Sequence, residues 1–116
     1  MVSKISQDAA EAFMSGRDFK RGNTEVRNYG MTVGLSLYGT LIAIRYTEAE
    51  WFDVSTIYSS RTTLSRLNAL PKVQLNFIRG VMYFCGEPIP PDEGFIRVYY
   101  NSVAIDFDKL GQILEG

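Results

Sequence analysis

The run Ser55-Thr56-Ile57-Tyr58-Ser59-Ser60-Arg61-Thr62-Thr63-Leu64-Ser65-Arg66 holds the densest chemistry in the chain. Seven of the eleven positions from 55 to 65 are Ser or Thr, with Arg61 among them and Arg66 directly after. Hydroxyls both donate and accept, and an arginine donates from a charged planar fork. A helix starting here adds free N–H groups at the positive end of its dipole, and the combination suits a phosphate. Ser59, Ser60, Arg61, Thr62, Thr63 and Arg66 are therefore the candidate anion-binding residues, with a nucleotide as the natural ligand class. The plainer use of the same residues is N-capping and turn formation on a solvent face. Seven hydroxyls exceed what one cap requires.

Arg17, Phe19, Lys20 and Arg21 form a second, basic and aromatic patch. A ring among cations suits a nucleotide or a single nucleic-acid strand. The plainer reading is a solvated loop whose one aromatic closes over the core.

Other chemistry has little to stand on. The chain has no His, which removes the usual general base and the commonest metal ligand. Its single Cys, Cys85, makes neither an internal disulfide nor a thiolate metal site, and it reads as a small buried residue at a strand end. Asp106 with Asp108, and Asp92 with Glu93, are carboxylate pairs outside any catalytic frame, and Asp108 suits a helix cap. No glycine pattern matches a dinucleotide fingerprint or a P-loop. The expectation is a protein that is not an enzyme and needs no metal and no cofactor. With 12 basic against 13 acidic residues the net charge is −1, so general coating of DNA is disfavoured. No apolar run reaches the ~20 residues of a membrane span, and the N-terminus lacks a signal-peptide apolar region. A soluble, cytoplasmic protein is expected.

The elements that must position these residues follow from periodicity. With 116 residues, 46% hydrophobic, the chain fits a single domain, 1–116. Ile5, Ala9 and Phe13 share one stripe, predicting a helix from about Ser6 to Ser15, capped by Ser3 or Ser6, with Asp8 in its first turn and Gly16 at its end. Residues 17–23 read as a loop. A short strand is expected from Glu25 to Asn28. Met31, Val33, Leu35 and Leu37 alternate with small or polar residues as a half-buried strand, and Gly39-Thr40 suits a tight turn into a partner strand from Leu41 to Tyr46. Trp51 to Val54 would extend the meander. A helix starting near Ser59 or Ser60 should stop by Pro71, burying Leu64, Leu67 and Leu70. Val73, Leu75 and Phe77 alternate before an Arg79-Gly80 turn, with Val81 to Cys85 returning. Gly86 to Gly94 holds three prolines and reads as a loop. Phe95 to Tyr100 and Val103 to Phe107 read as strands around Asn101-Ser102, and Asp108 to Glu115 as a helical turn with Leu110, Ile113 and Leu114 inward. The fold class is α+β, a mainly antiparallel sheet of hairpins with two or three short helices packed on it.

Five segments occur in an order that identifies a resemblance: Ala9-Ala10-Glu11-Ala12-Phe13, Phe19 with Gly22-Asn23-Thr24-Glu25-Val26, Leu35 to Ala43, Thr62-Thr63-Leu64-Ser65-Arg66-Leu67-Asn68-Ala69-Leu70-Pro71, and Tyr83-Phe84-Cys85-Gly86-Glu87-Pro88. The chain resembles a family of small proteins encoded by bacteriophages and found in environmental viral sequence. The similarity spans roughly positions 9 to 88. Cys85 stands where the family pattern leads us to expect Asn, and the segment after Pro88 is longer than the pattern. The resemblance implies an accessory protein of host takeover or counter-defence that works by binding in the infected cell. An anionic ligand such as a nucleotide signal is the first expectation. A protein-binding inhibitor or homo-oligomeric module without a small ligand is the second, and nucleic-acid binding the third. Phe95 to Tyr100 is apolar or aromatic on both faces, so its second face should meet a helix or another subunit, and a homodimer or higher oligomer is expected.

Overall fold

The structure is a computed structural model and describes residues 3–100. The predicted strand 103–107 and helical turn 108–115, with the Asp106 and Asp108 pair, lie outside the described residues. Helix α1 runs Lys4–Ser15, two residues earlier than the apolar stripe alone indicates. Ser3 is its cap, accepting from the Ser6 amide, and Gly16 ends it in the left-handed conformation at φ 73°. The earlier start moves Asp8 beyond the first turn, where it pairs instead with Lys4 and Arg21.

Residues 19–21, read as loop, form strand β1 (Phe19–Arg21). Three residues are too few to show an alternation, but Gly22-Asn23 closes a two-residue hairpin onto β2 (Thr24–Asn28), with Arg21 opposite Thr24. Strands β3 (Thr32–Leu37), β4 (Thr40–Tyr46) and β5 (Trp51–Ser55) continue an antiparallel meander. The β3–β4 turn is Tyr38-Gly39 rather than Gly39-Thr40, because Leu37 pairs with Thr40. Both turn residues have positive φ, 53° and 79°, which puts the glycine second, as a type I′ turn prefers. The register slips between Leu35 and Ser36, so Ile42 is an extra residue on β4, and both Ile42 and Ala43 are buried.

Helix α2 (Arg61–Asn68) follows, with Leu67 and Leu70 buried and Leu64 half-buried. Strands β6 (Leu75–Ile78), β7 (Val81–Phe84) and β8 (Glu87–Pro88) make a separate three-stranded sheet. Val73 and Leu75 are buried, but Phe77 is exposed, although Met82 opposite it on β7 is buried. Cys85, expected to be buried, is exposed: β7 ends at Phe84, and Cys85 with Gly86 forms the two-residue turn to β8, at φ 50° and 86°. Pro88 takes an edge position inside the segment read as loop, where its missing N–H costs nothing.

Strand β9 (Phe95–Tyr99) then returns to the first sheet beside β5, giving the order β1-β2-β3-β4-β5-β9. Both helices pack on one face of this six-stranded sheet. Phe13 of α1 meets Phe52 of β5 edge-on at 5.6 Å, over a core of Val26, Val33, Leu35, Ile42 and Val54. Arg45, also buried, donates from Nε to the Phe13 carbonyl at 3.0 Å, placing a cation at the negative end of α1. The mainly antiparallel α+β architecture read from the sequence is the one observed.

Candidate functional site

The chain turns from β5 into α2 through the hydroxyl-rich run. Ser60 is the cap: its Oγ accepts from the Thr63 amide at 3.1 Å and lies 2.8 Å from Thr63 Oγ1. Thr63 is buried, so these two hydroxyls serve the helix start. Arg61 and Ser60 are exposed, and Ser59 and Thr62 are half-buried.

A depression of about 310 Å³ opens between this helix start and the β3–β4 turn. Ser60, Thr62 and Thr63 line it from one side, Tyr38 and Thr40 from the other, with Tyr58 between. Leu37 and Ile42 supply its apolar lining. Six hydroxyl-bearing residues thus converge on a space at the small end of ligand pockets. Depressions of similar size elsewhere, such as the one beside Phe77, Val81 and Pro90, lack this concentration of hydroxyls. Tyr38, Thr40 and Tyr58 were not among the residues singled out from the sequence. The only signal available was the Tyr38-Gly39 dipeptide at a hairpin, and it becomes informative only once the register fixes where that turn sits.

Arg66 stands apart from this depression. It is 7% exposed and donates from Nε to Thr24 Oγ1 and from Nη1 to Ser6 Oγ, both at 2.8 Å, with Nη2 at 3.5 Å from Asn23 Oδ1. Burial pulls its pKa down, opposed by the nearby Tyr38. No carboxylate pairs with it among the described residues. Its guanidinium is occupied in joining α2 to α1 and β2, so Arg61 is the cation left at the helix start.

The second patch is divided in the same way. Arg17 pairs with Glu11 at 3.5 Å and Arg21 with Asp8 at 2.8 Å, while Arg21 also lies over the Phe19 ring at 5.1 Å. Phe19 packs against the core, and Lys20 is exposed opposite Glu25 on β2. Two of the three cations are already matched by carboxylates on α1.

A family model described as Kyanoviridae Gp96 protein matches residues 2–89. The chain belongs to this bacteriophage protein family. The matched region of this Gp96-family chain includes α1, β1 to β8 and α2, and so every residue of the depression; β9 lies beyond it. No curated protein and no solved structure matches the chain. Among the described residues, no helix is long and apolar enough to cross a membrane.

Proposed function

We propose that this Gp96-family chain is a non-enzymatic phage accessory protein, acting in host takeover or counter-defence, that binds an anionic ligand of the nucleotide class at the start of α2. One observation carries the reading: six hydroxyl-bearing residues converge on a single depression at the start of α2, where Arg61, though not itself lining the depression, lies in sequence between the lining residues Ser60 and Thr62. Arg61 has no hydrogen-bond or ion-pair partner among the described residues. Two tyrosines at the rim, Tyr38 and Tyr58, offer aromatic faces for a base, and the Thr40 and Thr62 hydroxyls with Arg61 offer donors to a phosphate.

Calorimetry with a panel of cyclic and linear nucleotides tests the reading. Heat with at least one member, lost in Arg61→Ala, is expected. No heat with any member, or unchanged binding in Arg61→Ala, overturns it. A second reading, a protein-binding or homo-oligomeric module, is favoured by the face of the large sheet opposite α1 and α2, which carries no helix among the described residues. Binding of nucleic acid through Arg17, Lys20 and Arg21 draws less support, because Glu11 and Asp8 already hold two of those cations.

A further inference from the structure

A strand at the edge of a sheet presents N–H and C=O groups with no neighbour, and proteins blunt such edges with prolines, charges or short strands. Three of the four edges among the described residues are blunted. Strand β8 is two residues long, and Pro88 has no N–H to donate. On β6 the Leu75 amide and carbonyl are both taken by the Asn68 side chain, at 2.7 and 2.9 Å. Strand β1 has three residues, two of them the cations Lys20 and Arg21. Strand β9 has no proline, and its one charged side chain, Arg97, is drawn back to Asp53 of β5 at 3.0 and 3.3 Å. Hydrogen-bonded pairs alternate along an antiparallel ladder. At the ends of this one the Thr56 amide donates to the Gly94 carbonyl at 3.0 Å, and the Tyr100 amide to the Glu50 carbonyl at 3.3 Å. Between them Ile96 and Val98 turn their amides and carbonyls toward β5, so those of Phe95, Arg97 and Tyr99 point outward. These three have no backbone partner among the described residues.

A groove follows this edge. Two depressions of about 360 and 310 Å³ share Phe84, Cys85 and Arg97 in their walls and run beside β9 from Ile96 to Tyr99. Lys72 lines the Tyr99 end, while Glu87 and Glu93 line the Ile96 end, with Asp92 next in sequence. None of these four has an ion-pair partner among the described residues. Glu50, opposite Tyr100, is acidic too, and Arg79 of the β6–β7 turn lines neither depression. The groove is apolar along its walls and acidic in balance. We propose that β9 takes an extended, basic segment of a partner protein as a further strand. Its main chain bonds to Phe95, Arg97 and Tyr99, and its alternate apolar side chains rest against Phe84 and Ile89. The charges choose this occupant. A second copy brings the same carboxylates, and the chain's own residues 101–116 carry Asp106, Asp108 and Glu115 against Lys109 alone. Neither complements an acidic groove, whereas a segment bearing Lys or Arg beside Glu87 and Glu93 does.

The test uses the full-length chain and labelled synthetic peptides of about nine residues, alternating valine with lysine or valine with glutamate. Fluorescence anisotropy reads their affinity, and amide hydrogen exchange followed by nitrogen–proton NMR reads the edge. The lysine peptide should bind with a Kd of roughly 100 micromolar or tighter, and about tenfold or more ahead of the glutamate peptide. At saturation the amides of Phe95, Arg97 and Tyr99 should exchange roughly tenfold or more slowly, while those of Ile96 and Val98, already bonded to β5, stay unchanged. A Glu87→Lys, Glu93→Lys double variant with an unchanged circular dichroism spectrum should prefer the glutamate peptide. No saturable binding, equal affinity for the two peptides, an unchanged preference in the folded double variant, or no slowing at the three amides overturns the proposal. So does slow exchange at all three in the free chain. The edge is then paired within the chain if that protection is independent of concentration, and with a second copy if it grows with concentration.

Discussion

Arg66 on α2 and Ser6 on α1, sixty residues apart in sequence, meet at 2.8 Å between Nη1 and Oγ. The same guanidinium reaches Thr24 on β2, and Ser6 Oγ also lies 2.8 Å from Ser65 Oγ. A buried cation is thereby solvated by hydroxyls instead of a carboxylate, and both helices and the sheet are held at one point. This network places the helix start, and with it the depression lined by Ser60, Thr62 and Thr63.

Arg66→Ala should lower stability by about 2–3 kcal/mol, because it removes a buried side chain together with its hydrogen bonds to Thr24 and Ser6. Arg61→Ala, on an exposed side chain, should stay within about 0.5 kcal/mol of the parent. Urea denaturation of the two variants side by side distinguishes a structural arginine from one available to a ligand.

Tyr38 holds φ 53° in the β3–β4 turn, a conformation that disfavours a side chain of its size. Strain at a residue lining a depression suggests that the residue is kept for use. Tyr38→Asn should stabilise the fold by about 1 kcal/mol, since Asn tolerates the left-handed region. It should also weaken nucleotide binding by about 1–3 kcal/mol through the loss of a stacking ring. Thermal melting and calorimetry on the same sample read both effects.

The turn also shows how far the sequence could be read. Period-two alternation in Met31 to Leu37 announced β3, and Ser3, Gly16 and Ser60 announced helix ends, since those signals are local. The turn itself lies one residue earlier than the Gly39-Thr40 pair indicates, because glycine takes either central position and only the Leu37–Thr40 pairing decides. Strand β1 was invisible, since it exists only through its hairpin partner. Thr62 and Arg61 remained at the helix start as read, whereas Arg66 turned inward. Its acceptors, Thr24 and Ser6, are more than forty residues away, and no sequence spacing encodes such a meeting.

Asp8 is held below the usual carboxylate value of 3.8, first by the hydrogen bond from Arg21 and then by that from Lys4. A carboxylate with a depressed folded pKa contributes stability that is complete above its unfolded value and is lost as pH falls through the folded one. The loss therefore falls below about pH 4. Asp8→Asn should have a lower denaturation midpoint than the parent at pH 7, and the two midpoints should converge as pH falls toward 2. Urea titrations at several pH values would show a constant gap if the pairing contributed nothing.

Nitrogen–proton NMR of the labelled chain, titrated with the nucleotide that gives the strongest heat, locates the ligand directly. The amides of Arg61, Thr62 and Thr63, and those of Tyr38 to Thr40 across the depression, should shift first and saturate together, with those shifts abolished in Arg61→Ala. Shifts confined to the Arg17 to Arg21 strand or the outer sheet face, or no saturable shifts at all, would contradict a nucleotide site at the start of α2.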